Sequence, residues 1–242
     1  MTEITATELQ QNLTRVNHRI QIAAEKAGRD PKSIKLLLAS KTRTPELINE
    51  AIKLGFGLIG ENRAQELAEK APFILKEHTT ITPRETHFIG ALQGNKVNEV
   101  TALADCIESV DRARIARRIH DYANLHGFIR DIMIQVNTTR DPQKQGLLPE
   151  ELPTFLAEIA EFKSIRVIGL MTIGVQSEDQ ALIRKGFADL RILSETMRAE
   201  GLMNPNATEL SMGMSQDLEL AILEGSTIIR VGSDIFGARK YI

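Results

Sequence analysis

One lysine stands where a lysine is costly unless it has a chemical role. The stretch LLLASKTR places Lys41 directly after an apolar run that predicts a buried strand. Partial desolvation at such a position favours the neutral amine, which is nucleophilic and forms Schiff bases with aldehydes and ketones. A solvated lysine at the start of a loop is the structural alternative. The local sequence leaves both interpretations open.

Two later stretches contain residue types that hold a phosphate. In ELSMGMSQDLELAI, Ser211, Gly213 and Ser215 precede a predicted helix, whose free backbone N–H groups favour an anion. In IIRVGSDIFGAR, Gly232 and Ser233 follow the last predicted strand and offer close backbone approach and a hydroxyl donor. Each residue alone is also compatible with a helix cap or a turn. Together they predict a pair of phosphate-binding loops.

The amine and the phosphate loops suggest one ligand. Pyridoxal phosphate carries both an aldehyde, which Lys41 could bind, and a phosphate. Arg230 lies inside the predicted strand 227–231, where its charge needs a partner. A carboxylate such as Glu209 or Glu61 would be a structural partner, and a ring nitrogen would be a functional one. Because arginine stays protonated, that nitrogen would stay unprotonated and the ring would be a poor electron sink.

The elements that must position these residues alternate along the chain. Short apolar runs predict strands at 34–40, 57–60, 86–90, 106–110, 129–137, 167–172, 209–212 and 227–231. Helical periodicity predicts helices at 45–54, 64–70, 96–104, 112–125, 150–161, 179–200 and 215–224, after an N-terminal helix within residues 1–27. We interpret residues 76–84 as a loop. Eight βα units in 242 residues predict a single (β/α)8 TIM barrel domain over 1–242. An open doubly wound sheet is less favoured, because no G-x-G-x-x-G follows the first strand.

Polar residues follow the predicted strands. The active site of such a barrel lies at the C-terminal ends of its strands, where the sequence places Lys41, Glu61, Asn62, Gly90, Gln93, Ser109, Asp111, Asn137, Thr172, Ser211, Ser215, Gly232 and Ser233. His87 precedes this end, and a lone histidine there is more often structural. No histidine shows metal-ligand spacing, so we expect no metal site.

The composition excludes several classes of function. Thirty basic and 32 acidic side chains give a net charge of −2, which provides no field to hold nucleic acid or an anionic membrane. The single cysteine, Cys106, cannot form an internal disulfide. The sequence contains neither a signal-peptide pattern nor an apolar run of membrane-spanning length. We expect a cytoplasmic protein with a small-molecule partner.

Seven motifs, in order, resemble those of the pyridoxal phosphate homeostasis protein family, stand-alone relatives of the alanine racemase barrel. They are LLLASKTR, LIGENRAQE, HFIGALQGNK, QVNTTRDPQKQGL, IGLMTIG, ELSMGMSQDLELAI and GSTIIRVGSDIFG. The resemblance implies an alanine-racemase-type barrel with pyridoxal 5'-phosphate held as an internal aldimine on Lys41. By motif it assigns Asn62 to the cofactor surroundings, Ser211, Gly232 and Ser233 to the phosphate, and Arg230 to the pyridine nitrogen, with His87, Met171 and Met212 lining the pocket.

The resemblance implies a cofactor carrier or regulator that affects amino-acid and keto-acid pools, without catalytic residues. A pyridoxal phosphate-dependent amino-acid racemase is the alternative. Related racemases take a tyrosine as second base from an additional domain, for which this sequence has no room after its last strand, and only Tyr122 and Tyr241 are present. A lysine-dependent aldolase is a third, weaker interpretation. We expect a monomer, or transient contact with cofactor-requiring enzymes.

Overall fold

The computed structural model describes residues 4–75 and 84–237. These residues form eight strands: β1 (Lys35–Ala39), β2 (Leu58–Glu61), β3 (Glu85–Phe88), β4 (Cys106–Val110), β5 (Arg130–Gln135), β6 (Ile165–Met171), β7 (Glu209–Ser211) and β8 (Ile228–Val231). They also form nine α-helices: α1 (Ala6–Lys26), α2 (Pro45–Lys53), α3 (Ala64–Lys70), α4 (Val97–Leu103), α5 (Ala113–Leu125), α6 (Leu152–Ile159), α7 (Gln180–Ala199), α8 (Leu218–Leu223) and α9 (Ser233–Phe236).

The strands close into a parallel barrel in chain order. The last strand returns to the first, with Leu36 opposite Ile229 and Leu37 opposite Arg230. Parallel strands joined by helices are covered on both faces, which explains why their sequences are apolar throughout. The closed barrel confirms the predicted fold class.

Alternation along each strand separates two apolar clusters. The smaller cluster fills the barrel interior with Leu37, Cys106, Met133, Met171 and Ile228. The larger cluster, which contains their sequence neighbours on the strands, packs between the barrel and the helices. Because successive side chains point to opposite faces of a strand, this parity decides which polar residue reaches the inside of the barrel.

The N-terminal helix α1 braces the elements after the last two strands. Arg19 forms ion pairs with Glu219 of α8 at 2.7 Å and with Asp234 of α9 at 2.6 Å. Asn12 also donates to the Ile235 carbonyl at 2.9 Å. The helix therefore covers the side of the barrel at which the predicted phosphate loops lie.

All eight predicted strands are confirmed; β4 has its predicted boundaries, and the boundaries of the other seven shift by one to a few residues. Helix α9 was not predicted, because four residues are too few to produce a periodic pattern. The predicted loop at 76–84 lies outside the described residues except for Arg84. Among the helices of the described ranges, none is both long and apolar enough to cross a membrane.

Candidate functional site

Lys41 lies in a strained turn at the C-terminal end of β1. It has the same parity as Leu37, which belongs to the interior cluster, and its side chain is half-buried. The turn is closed by a hydrogen bond of 3.0 Å from the Arg43 N–H to the Ser40 carbonyl. Thr42 within it has a φ of +62°, a left-handed conformation that is rare for a β-branched residue. The surroundings must hold this turn in place.

Side chains of β2 and α3 hold that turn from outside the barrel. Lys70 donates to the Ser40 carbonyl at 3.0 Å, and Glu66 accepts the Thr42 N–H at 2.7 Å. Lys70 also pairs with Glu61 at 2.9 Å and with Glu66 at 3.0 Å. Burial raises the pKa of Glu61, although Lys70 opposes the shift. The two backbone groups that flank Lys41 are thus fixed by a buried charge cluster.

Asn62 follows β2 and presents a polar atom without a partner. Its side-chain oxygen Oδ1 is buried and makes no hydrogen bond. Gly90, at the end of the next strand, lies directly against the backbone of Asn62, since a Cβ at Gly90 would be 2.0 Å from the backbone carbonyl oxygen of Asn62. Only glycine permits this close approach. An orphaned buried oxygen costs free energy, and a bound ligand that donates to it would recover that cost.

A polar network crosses the barrel interior below this end. Arg230 donates to the Ser211 hydroxyl at 2.8 Å and to the Thr172 carbonyl at 2.8 Å. The Ser211 hydroxyl donates in turn to Glu108 at 2.5 Å, and the other Glu108 oxygen lies 2.6 Å from His87 Nδ1. All four side chains reach the interior because successive side chains along a strand alternate between its two faces. The network links β3, β4, β7 and β8.

The predicted structural partners of Arg230 were wrong. Glu209 pairs with Lys35 at 2.6 Å at the other end of the barrel. Glu61 points outward to Lys70, because Gly60 takes the inner position on β2. The carboxylate that compensates the charge of Arg230 is Glu108, which is linked to Arg230 by hydrogen bonds through the Ser211 hydroxyl.

Charge is fixed within the network. Burial is the largest single influence on His87 and disfavours a charged ring, but the hydrogen bonds and charges of Glu108 and Glu85 together outweigh it and raise the pKa of His87 to about 9. Burial likewise opposes charge on Glu108, yet His87 and Arg230 lower the pKa of that carboxylate overall. The interior therefore holds one anion between two cations at neutral pH.

The loops after β7 and β8 bring two hydroxyl groups together. Ser215 Oγ and Ser233 Oγ are 3.0 Å apart. A Cβ at Gly232 would lie 3.0 Å from the Ala39 carbonyl oxygen, so the absence of a side chain leaves room between β8 and β1. Arg19 of α1 holds this loop pair through the Ser215 carbonyl at 2.9 Å. A pair of hydroxyl groups beside a bare backbone suits the oxygens of a phosphate.

The remaining predicted site residues fall into different surroundings. Ser211 is engaged by Arg230 and Glu108 rather than by the hydroxyl pair. Met171 belongs to the interior cluster, whereas Met212 packs in the cluster shared with the helices. His87 directs both ring nitrogens at carboxylates, Glu108 and, at 3.6 Å, Glu85. The ligand contacts assigned to these four residues stay predictions.

Sequence reasoning missed Glu108 and Arg19. Glu108 is fully buried within CIESV, a stretch interpreted only as a strand, and its parity with Cys106 was the available signal. Arg19 lies on the polar face of α1, where the sequence gives no indication of its long-range partners.

A cavity of about 620 Å³ opens at the opposite, N-terminal end of the barrel. Charged side chains line it, but they neutralise one another in pairs such as Lys35 with Glu209 and Arg166 with Asp131. The N-terminal face of such barrels generally serves stability. We therefore place the candidate site at the Lys41 end. In the part of the chain that is described, no group of three or more potential ligands forms a metal site.

Comparison with known proteins identifies similar chains. The family model "Alanine racemase, N-terminal domain" matches residues 11–240. A protein of Aquifex aeolicus named pyridoxal phosphate homeostasis protein is 41% identical, and the match covers 96% of this chain and 98% of that protein. The crystal structure of an unknown protein from Bifidobacterium adolescentis has a TM-score of 0.90 at 37% identity, with 97% and 98% of the two chains covered. PipY of Synechococcus elongatus, solved with PLP bound, has a TM-score of 0.77 at 32% identity and covers 92% of this chain and 100% of its own.

Proposed function

Because the chain belongs to the pyridoxal phosphate homeostasis protein family, we propose that it binds pyridoxal 5'-phosphate and acts in the homeostasis of that cofactor. One observation carries the proposal: an amine, a cation and a hydroxyl pair occur together at the C-terminal end of one barrel. The unpartnered Asn62 oxygen at the same end supports a bound ligand. The related PipY structure contains PLP.

Each group of the site matches one part of this cofactor. Lys41 would hold the cofactor through its aldehyde, with which an amine condenses to give a carbon–nitrogen double bond and water. Ser215, Ser233 and the Gly232 backbone would hold the phosphate. Arg230 would face the ring nitrogen and leave it unprotonated, because a guanidinium does not give up its proton. A ring without that proton is a poor electron sink, which favours storage of the cofactor over turnover of a substrate.

A carrier role, rather than a racemase, is supported by the position of Tyr122. A two-base racemase needs a second base at the cofactor, and loss of a general base costs about 10² to 10⁴-fold in rate. Tyr122, which is the only tyrosine among the described residues, stacks on His126 with ring centroids 4.1 Å apart and lies near Phe128. These residues precede β5, at the N-terminal end of the barrel. The other tyrosine, Tyr241, lies outside the described residues.

Cys106 supports a cytoplasmic location. It is a free thiol buried in the barrel interior, and burial raises the pKa of that thiol well above its ordinary value. A packed, protonated thiol is compatible with a reducing compartment.

Absorbance and peptide mapping test cofactor binding. The purified protein, incubated with pyridoxal phosphate, should develop a visible absorbance band, and borohydride should reduce the double bond and leave the cofactor on the peptide that contains Lys41. The Lys41→Ala variant should stay unlabelled, while Lys70→Arg, which keeps the nearby cation, serves as the control for general lysine labelling. No band after incubation, or label on a different lysine, would reject the site.

Deuterium exchange separates a carrier from a racemase. The loaded protein is incubated with single amino acids in deuterated water, and incorporation at the α-carbon is followed by mass spectrometry. A carrier exchanges cofactor with the amino acid stoichiometrically and incorporates no deuterium. Incorporation that continues over many turnovers would show an enzyme and contradict the carrier proposal.

A comparison of two ligands tests the phosphate contacts. Pyridoxal lacks the phosphate but keeps the aldehyde and the ring. Ser215→Ala and Ser233→Ala should weaken binding of pyridoxal phosphate and leave binding of pyridoxal unchanged. Equal losses for both ligands would show that the two hydroxyl groups do not hold the phosphate.

A further inference from the structure

The position of Arg230 depends on a residue that never reaches the cofactor end of the barrel. Arg230 is an interior side chain, two residues beyond Ile228 on β8, and only 6% of it is exposed. A guanidinium has a long and flexible stem, so it keeps one orientation only if fixed acceptors hold it. The Arg230 guanidinium donates to the Ser211 hydroxyl and to the Thr172 carbonyl. The hydroxyl is the adjustable one, since it rotates.

Glu108 fixes the direction of that hydroxyl. A carboxylate only accepts hydrogen bonds, so the Ser211 proton must point to Glu108, and a lone pair of the same oxygen is left for Arg230. The distances of 2.5 Å and 2.8 Å are those of charge-assisted hydrogen bonds. With both oxygens of Glu108 engaged by Ser211 and His87, the carboxylate itself has no freedom to turn.

We propose that Glu108 is a positioning residue for the cofactor, acting through Ser211 to hold the Arg230 guanidinium toward the ring nitrogen. The inference rests on the proposed function, because it assigns a role toward bound pyridoxal phosphate. It also gives His87 a role without a cofactor contact. His87 holds the second Glu108 oxygen at 2.6 Å and keeps the anion in place.

Asp217 is the other carboxylate near Arg230, and it does not replace Glu108. It accepts the Met214 N–H at 2.6 Å within its own loop. Burial raises the pKa of Asp217, whereas the pKa of Glu108 is lowered despite complete burial, through His87 and Arg230. Glu108 is therefore the ionised group that compensates the arginine from within the barrel.

A double-mutant cycle tests the proposal with the full-length protein. Dissociation constants for pyridoxal phosphate are measured by absorbance titration for the unmodified protein, Glu108→Gln, Arg230→Met and the double variant. We expect Glu108→Gln to weaken binding at least about tenfold, the scale of one charged hydrogen bond, and to change it less than about twofold in the Arg230→Met background. The absorbance maximum of loaded Glu108→Gln should shift toward that of loaded Arg230→Met.

Cys106→Ser is the matched control, since Cys106 is a buried interior residue on the same strand that lies outside the network. It should bind the cofactor as the unmodified protein does. If Glu108→Gln does not fold, as judged by circular dichroism, Ser211→Ala replaces it in the cycle, because this variant keeps both charged groups and removes only the hydroxyl between them. The effect of Ser211→Ala should also disappear in the Arg230→Met background.

Three outcomes would overturn the proposal. Unchanged affinity in Glu108→Gln would show that Arg230 needs no positioning. A loss of the same size with and without Arg230 would show that Glu108, or Ser211 in its place, acts elsewhere, such as on the phosphate. Absence of any binding by the unmodified protein would reject the proposed function and this inference with it, and Lys41 labelling distinguishes that case from the first two.

Discussion

Replacement of Lys70 by methionine removes the cation that joins three groups beneath the Lys41 turn. Its Nζ lies 2.9 Å from Glu61, 3.0 Å from Glu66 and 3.0 Å from the Ser40 carbonyl. Without it, Glu61 keeps only the Ser40 hydroxyl at 2.6 Å, and its second oxygen already has no partner. The side chain of Glu61 is 3% exposed, so water cannot replace the lost charge.

The expected cost follows from that burial. Removal of one partner from a buried ion pair destabilises a protein by about 3–5 kcal/mol, because the other charge is left uncompensated. With a urea dependence of about 2.5 kcal/mol per molar, the unfolding midpoint should fall by between about 1 and 2 M. Circular dichroism in a urea titration at pH 7 measures this shift.

Glu61 supplies both the control and the pH dependence. In the Glu61→Gln background the loss of Lys70 leaves no buried Glu61 carboxylate without a counter-charge, so Lys70→Met should cost much less. Burial raises the pKa of Glu61, so the folded state takes up a proton more readily than the unfolded chain, and acid should relieve the defect of Lys70→Met as the pH falls from 7 toward 5. An equal loss in both backgrounds, or no relief in acid, would refute the assignment of Lys70 as the counter-charge of Glu61.

Three further predictions concern other parts of the site. The pKa of His87 is about 9 in the folded state against an ordinary 6.5, so His87 stabilises the fold by about 3 kcal/mol below pH 6.5, and this stabilisation is lost as the pH rises through 9. Urea titrations across this range should show the decline in the free energy of unfolding, and His87→Gln should remove that decline. Thr42→Gly should raise the free energy of unfolding by about 1 kcal/mol, because relief of the left-handed strain at +62° exceeds the entropy cost of glycine; a lower thermal midpoint would contradict this. Arg19→Met should weaken pyridoxal phosphate binding about fivefold by releasing the Ser215 carbonyl, with pyridoxal affinity unchanged in the same absorbance titration.

The sequence predicts the barrel well because apolar runs and helical periodicity report burial directly. Strand β4 is found at the predicted boundaries, and Lys41 follows β1 as expected. Strand β6 begins earlier than predicted, at Ile165. Arg166 near its start is charged, but it forms a bidentate ion pair with Asp131 on the neighbouring strand β5 and is therefore accommodated in the sheet. A polar residue that is satisfied across strands interrupts the hydrophobic pattern but not the strand.

The site was less predictable, because a shift of one residue along a strand reverses the face that a side chain occupies. The sequence places Glu61 at the barrel mouth with the other strand-end residues, yet it points outward and Gly60 takes the inner position. The sequence does not single out Glu108 at all, although it lies inside the barrel two residues after Cys106. The first is an error of parity, which a strand boundary uncertain by one residue cannot resolve. Glu108 lies in a strand whose boundaries were predicted correctly, but the sequence alone does not show which face of that strand is the barrel interior.

Parity also explains why the two proposed cofactor-binding cations are supported from opposite sides of the barrel wall. The Lys41 turn is fixed through its backbone by Lys70 and Glu66 on the outer face. Arg230 is fixed through its side chain by residues on the inner face, so its charge is compensated where it lies. A covalent attachment requires an amine that can exchange its bond, whereas a ring contact requires a cation that does not move. The outer support suits the first requirement and the inner network suits the second.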